Sequence, residues 1–403
     1  MLNLPLSSVQ NQDNFTSLGF IRPREALNHK QPTSKRPEIA MSETPAITNL
    51  NRDRILGALL GVHAGDSLGA TVEFEAWERI QANYPQGVRD IVGGGPFDWP
   101  AGHATDDSDL TRAVLLAYRD AEKLKRARSA KTPNVVTLAA QYMVDWYDGR
   151  WPDRVRGQRP RDVGGATAVG ISNFKRTADP RTSGAGEGRA GNGSLMRCIP
   201  TALFQPDADK AFAESMDISA ITHDDLNCTV SCAAYNAMVR ALVDGRTPEE
   251  AWEAGKLAVD RATDAPEPDA VRKLRLGRAA KKVGAAMDAG KSLVQVQDLA
   301  ANGPKKAANA TVAMPFKASG HVLESLTLAV AALFDPRPLE EVLVDVVRFG
   351  QDADTNGAIA GGLLGARDGL HVIPLRWREK LQFGKEFAEV TDYLLSSQDS
   401  GSH

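Results

Sequence analysis

The feature that most constrains this chain is its hydrophobic period. From Asn51 onward, apolar residues recur every three or four positions in RILGALLGVHAGDSLGA, LTRAVLLAYRDAEKL, VVTLAAQYMVDWY, LNCTVSCAAYNAMVRALVDG, VLESLTLAVAALF, LEEVLVDVVRFG and TNGAIAGGLLGARDG. That spacing gathers apolar side chains on one face of an α-helix, and period-two strand runs are nearly absent. Boundary signals agree. Asp244-Gly245 follows Val243, Thr247-Pro248-Glu249-Glu250 opens the next helix, and Asp335-Pro336 ends another. A chain of 403 residues has the length of two ordinary domains. The helical text is continuous, however, and predicts a single all-α domain over 48–396 with more than ten helices.

Composition narrows the function classes. A net charge of −3 with acid and base mixed throughout gives no case for a dedicated nucleic-acid or membrane-surface protein. No apolar run approaches the roughly 20 residues that span a bilayer. Cys198, Cys228 and Cys232 make neither a disulfide framework nor a zinc-site spacing. Cys228 and Cys232 are one helical turn apart and read as small buried hydrophobes. A reducing, cytoplasmic setting is the expectation.

Residues 1–47 differ from the rest, being rich in Asn, Ser, Pro and Gln without a sustained period. They read either as a disordered leader or as a partner-binding arm, for which Phe15, Leu18, Phe20 and Ile21 are the apolar anchors. Residues 397–403 read as a short tail.

Three long glycine-rich segments interrupt the helices, at 93–109, 149–193 and 305–321. Loops of such length inside a compact domain are uncommon unless functional, so chemistry is sought there. At the end of the first stands Thr105-Asp106-Asp107-Ser108-Asp109, opening an apolar helix. One of these side chains suffices to cap the helix, but three carboxylates within four positions crowd like charge, which a cation relieves. Gln351-Asp352-Ala353-Asp354-Thr355-Asn356 repeats that composition at another expected helix start, its two carboxylates and hydroxyl placed on one side of an extended turn. Together the two clusters form a hard oxygen set without His or Cys, which favours Mg²⁺ or Mn²⁺ over zinc. Gly191-Asn192-Gly193-Ser194-Leu195-Met196-Arg197 reads as a tight turn or as a glycine-rich start of an apolar helix suited to a diphosphate. Thr222-His223-Asp224-Asp225, at a further helix start, places His223 as a structural residue or as a hydrogen-bonding partner for a phosphate or ribose.

These motifs together resemble the ADP-ribosylglycohydrolase family over about residues 52–394. The resemblance runs through Gly57-Ala58-Leu59-Leu60-Gly61, Gly65-Asp66-Ser67-Leu68-Gly69, Glu73, Gly93-Gly94-Gly95, Thr105-Asp106-Asp107-Ser108, Asp162-Val163-Gly164, Gly191 to Arg197, Thr222-His223 and Asp352-Ala353-Asp354-Thr355. It implies an orthogonal multi-helix fold with two Mg²⁺ (or Mn²⁺) ions held by Thr105, Asp106, Asp107, Asp352, Asp354 and Thr355. It further implies that Glu73 lies on a loop gating the metals. Asp162 would stand near the ribose or leaving group, with Gly191, Asn192, Gly193 and His223, beside Ser194, lining the ADP-ribose pocket. The family's usual Thr after Thr-Asp-Asp is Ser108 here, which keeps the hydroxyl.

The implied activity is Mg²⁺-dependent hydrolysis of the bond between ADP-ribose and a modified protein, with arginine as the first target. Asp107 or Glu73 would act as base and Asp162 would assist the leaving nitrogen. Some bacterial immunity proteins of this family plug an ADP-ribosyltransferase toxin with an extension, a layout to which residues 1–47 are similar. A non-catalytic occluding protein, and a hydrolase of a serine or nucleic-acid linkage, remain open as alternatives.

Overall fold

The computed structural model describes residues 49–127, 134–264, 266–293, 296–297, 300–301, 303 and 318–399. The expected arm at 1–47 and most of the glycine-rich segment at 305–321 lie outside them. Among the described residues the chain forms fifteen α-helices, two short 3₁₀ turns and no strand, only the isolated bridges Gly94–Trp99 and Gly191–His321. In chain order the helices are α1 Asn49–Gly69, α2 Trp77–Asn83, α3 Asp106–Arg126, α4 Val135–Tyr147, α5 Gly165–Thr177, α6 Ile199–Phe204, α7 Ala208–Ala220 and α8 Leu226–Val243. They continue with α9 Pro248–Asp264, α10 Ala270–Ser292, α11 Val322–Phe334, α12 Leu339–Val347, α13 Ala353–Asp368, α14 Leu375–Arg378 and α15 Gly384–Asp399. Helix α15 extends to Asp399, three residues into the expected tail. No helix among the described residues is long and apolar enough to cross a membrane.

The centre of the fold is the antiparallel pair α1 and α13. Gly57, Gly61, Gly65 and Gly69 of α1 meet Gly365, Gly361, Gly357 and Ala353 of α13, four-residue steps on both helices. A methyl group on any of the four α1 glycines would lie 2.0–2.4 Å from a carbonyl oxygen of α13. The two backbones therefore touch, and only hydrogen fits between them. This contact delivers the C-terminus of α1 and the loop after it to the N-terminus of α13. Helix α13 is buried nearly all round. Helices α8, α11 and α12 also pack against it, while α3 packs on α4 and α8 on α9.

The predicted boundaries hold where their chemistry is local. Thr247 and Glu250 form a reciprocal capping box, with Thr247 N–H donating to Glu250 Oε2 at 2.8 Å and Glu250 N–H to Thr247 Oγ1 at 3.3 Å. Helix α11 ends at Phe334 before Asp335-Pro336. Cys198, Cys228 and Cys232 are free and buried.

One expected loop needs correction. The 149–193 segment is not one loop, because it contains α5 and a 3₁₀ turn at Pro180–Thr182. Helix α5 buries Thr167, Gly170, Ile171 and Phe174 at helical spacing, but half of that face is too small or polar to register as an apolar period. A side chain at Gly170 would meet the Thr222 backbone at 2.5 Å, so smallness is what this helix needs there. Of the two readings of Gly191 to Arg197, the tight turn is the one that forms. Leu195 and Met196 both donate to Asn192 O, at 2.7 and 3.1 Å. Helix α6 begins only at Ile199, where Pro200 occupies the first turn in which its missing N–H costs nothing.

Candidate active site

Thr105 caps α3, its Oγ1 accepting from Asp107 N–H at 3.3 Å, and Asp106 and Asp107 follow in the first turn. Asp352 stands at the N-cap position of α13 with Asp354 and Thr355 in its first turn, helical rather than the extended turn expected. The two helix starts converge. Thr355 Oγ1 donates to Asp107 Oδ2 at 3.4 Å across 248 positions of sequence, and Thr105 Oγ1 donates to the same oxygen at 3.1 Å. Carboxylate oxygens of Glu73, Asp162 and Asp354 all lie within 4.8 Å of one another, a group that can hold a metal ion. The Asp106 and Asp162 carboxyls are close enough to share a proton, which joins this group to the α3 cluster.

Burial makes this concentration of charge costly. Thr105, Asp106, Asp107, Asp354, Thr355 and Glu73 are all buried. Burial pushes the Glu73 carboxyl up to about 8, with repulsion from Asp352, Asp106 and Asp66 adding to it. Asp162 rises to about 7, from burial first and the Glu73 charge second. Asp106, Asp107 and Asp354 rise well above the ordinary carboxylate range for the same two reasons, and burial raises Asp352. Asp107 Oδ1 and Glu73 Oε2 are buried acceptors without a hydrogen-bond donor. Orphaned oxygens among mutually repelling carboxylates fit a bound divalent cation, which supplies the missing positive charge.

The backbone around Glu73 is strained. Phe74 and Gln351 both adopt left-handed conformations, φ +59° and +55°, rare for residues with bulky side chains. They clasp each other's loops: Phe74 N–H donates to Gln351 O at 2.6 Å, and Gln351 N–H to Glu75 O at 3.1 Å. This clasp fastens the segment carrying Glu73 to the segment carrying Asp352. Strain of this kind costs of order 1–3 kcal/mol per residue and gathers at functional sites.

The glycine turn contributes selectively. Asn192 Nδ2 donates to Asp352 Oδ2 at 2.5 Å and to Ser325 Oγ at 3.0 Å, so it orients a carboxylate of the second cluster. Gly191 and Gly193 are half-buried, with the His223 ring packed beneath them; a side chain on Gly193 would meet that ring at 3.0 Å. His223 is itself buried, 2.7 Å from Thr222 Oγ1 through Nδ1. Burial and the neighbouring Arg197 bring it down to about 3, so it is neutral. Ser194 is also internal, accepting from Ser219 Oγ at 2.9 Å. Arg197, fully buried, donates to Gly193 O and to Thr222 Oγ1. His223, Ser194 and Arg197 thus support the turn from inside.

Two further carboxylates, Asp66 and Asp109, act as positioning groups. Asp66 Oδ2 accepts from Ser108 Oγ at 2.5 Å, Ser108 N–H at 3.2 Å and Thr105 N–H at 3.3 Å, tying α1 to the start of α3. Burial pushes it up to about 7 against the pull of those donors. Asp109 accepts from Trp146 Nε1 at 2.7 Å and Trp151 Nε1 at 2.6 Å, anchoring the segment that runs on to Asp162. For Asp66 the signal in the sequence is an isolated acid inside apolar helical text, whereas Asp109 belongs to the acid-rich run at 106–109.

Known proteins are similar to this chain over most of its length. The family model for ADP-ribosylglycohydrolase matches residues 48–402. The chain is 27% identical to the ADP-ribosylarginine hydrolase Tri1 of Pseudomonas putida (strain GB-1), covering 85% of this chain and 78% of that protein. It is 28% identical to the ADP-ribosyl-[dinitrogen reductase] glycohydrolase of Rhodospirillum rubrum, covering 85% and 96%. A solved structure, an ADP-ribosylglycohydrolase-related protein complex, superposes with TM-score 0.61 at 25% identity over 87% of this chain and 99% of its own. The chain belongs to the ADP-ribosylglycohydrolase family, hydrolases of the glycosidic bond to ADP-ribose.

Proposed function

We propose that this enzyme removes ADP-ribose from arginine side chains of modified proteins in a reaction that depends on two Mg²⁺ or Mn²⁺ ions. The observation that carries the metal reading is the meeting of two oxygen-only clusters at Thr355 and Asp107, with orphaned acceptors on Asp107 and Glu73 beside it. The arginine linkage is supported by the name of the Pseudomonas putida relative, an ADP-ribosylarginine hydrolase.

Thr105, Asp106, Asp107, Asp352, Asp354 and Thr355 would hold the metals. Bound there, the ions would supply Lewis-acid stabilisation of ribose hydroxyl oxygens and a lowered water pKa. Asp162, on the segment that meets Glu73 and Asp354, would give a proton to the leaving nitrogen. Asp107 or Glu73 takes the proton from the attacking water, on the opposite side of a sugar with oxocarbenium character. Asn192 keeps Asp352 oriented, and the half-buried Gly191 and Gly193 let backbone N–H groups approach the diphosphate. Residues 1–47 enter the proposal as an arm for a protein partner, an ADP-ribosyltransferase toxin by chemistry. The family match begins at residue 48, just after them.

The test is release of free ADP-ribose from ADP-ribosyl-arginine and ADP-ribosyl-serine peptides, with Mg²⁺ and with EDTA. Mg²⁺-dependent release from the arginine peptide is expected. Equal release in EDTA overturns the metal reading, and release from serine alone overturns the linkage.

A further inference from the structure

We propose that Phe74 and Phe97 form the wall against which the guanidinium of the ADP-ribosylated arginine lies, which makes them determinants of linkage specificity. The inference rests on the arginine reading above and adds the residues that would enforce it. Phe74 is 62% exposed, although it immediately follows buried Glu73 and is held in a strained conformation by the Gln351 clasp. Its ring meets Phe97 edge to face, centroids 6.3 Å apart at 69°. Phe97 continues to Trp99 at 6.0 Å, and the Arg161 guanidinium lies over Trp99, donating to Phe97 O at 3.4 Å and Asp98 O at 3.3 Å.

The strip is therefore covalently tied at both ends to the acid group: Phe74 adjoins Glu73 and Arg161 adjoins Asp162. Arg161 is taken up by Trp99 and two carbonyls, and among the described residues no cation lies over the Phe74 or Phe97 ring. Exposed Phe74, paired with half-buried Phe97 and next in the chain to Glu73, offers the combination that recognises a guanidinium. The ring faces take its flat, weakly hydrated cation, and the acids take its charge and N–H groups. A neutral serine leaving group gains nothing from such a wall.

The test compares the unaltered enzyme with Phe74→Ala, Phe74→Leu, Phe74→Tyr and Phe97→Ala on ADP-ribosyl-arginine, with free ADP-ribose as product inhibitor. The Ala and Leu variants should raise KM about fivefold, the scale of a partly exposed cation–π contact, and Tyr should restore it. The inhibition constant of ADP-ribose should stay within about twofold. An inhibition constant rising in step with KM would mean that the pair holds the ADP-ribose moiety, and an unchanged KM would mean no substrate contact; either overturns the proposal. Failure of the unaltered chain on arginine-linked substrate overturns the linkage reading and this inference together, whereas failure confined to the variants' expected shifts overturns the inference alone.

Discussion

Gly65 of α1 and Gly357 of α13 lie so close that a methyl group on Gly65 would stand 2.0 Å from the Gly357 carbonyl oxygen. Helix α1 leads into Glu73 and α13 begins beside Asp352 and Asp354, so this contact sets the separation of the two halves of the site.

Gly65→Ala and Gly357→Ala should each destabilise the fold by at least about 1–3 kcal/mol, the scale of overpacking, because a backbone atom cannot swing aside. Gly277→Ala in α10, with nothing within 4 Å of the added carbon, should stabilise by about 0.5–1 kcal/mol through helix propensity. Urea midpoints measure both. A neutral Gly65→Ala would contradict the close approach.

Asp107→Ala and Asp354→Ala should lower hydrolysis by more than about 100-fold and erase the Mg²⁺-induced rise in Tm. Neither should unfold the metal-free protein, because each substitution removes one member of a repelling buried set. Circular dichroism together with melting in EDTA decides the point. Collapse of both variants would mark these residues as structural.

The pH dependence has a defined sign. Glu73 at about 8 and Asp162 at about 7 lie above their unfolded values of about 4, as do Asp106, Asp107 and Asp354 by direction. The folded state binds more protons, so these groups favour folding at low pH and lose that contribution as pH rises through about 7–8. The metal-free protein should therefore melt lower at about pH 8.5 than at about pH 6. Mg²⁺, which needs the deprotonated carboxylates, should shift Tm more at the higher pH. Paired melts in EDTA and Mg²⁺ that show the reverse order at both pH values would refute this account.

Deleting residues 1–47 should leave hydrolysis of small ADP-ribosylated substrates intact while weakening capture of one protein partner, with the entropy loss typical of coupled folding and binding. An Asp107→Ala chain with the arm present should still capture it. Recovery of identical partners by full-length and truncated chains from the native host would leave the segment a leader without that role.

Much of this protein is legible in one dimension because the responsible physics is local. Helical period, the Thr247–Glu250 capping box and the stop at Asp335-Pro336 depend on residues within a few positions of each other. The same holds for the acid-rich starts of α3 and α13, whose crowded carboxylates imply a cation before any fold is known. Tertiary structure decided what depends on distance through space. It showed that α5 buries threonine and glycine, residues without an apolar signal, because its neighbour's backbone comes too near for anything larger. It turned Ser194 and His223 inward as supports for the turn. Thr355 Oγ1 stands 3.4 Å from Asp107 Oδ2 through two tertiary links, the glycine contact of α1 with α13 and the Asp66 tie of α1 to α3, and no local propensity records a contact made by the absence of side chains. The clasp of Phe74 on Gln351 is likewise invisible in sequence: both residues disfavour the left-handed backbone they adopt, and only partners some 276 positions apart hold them there.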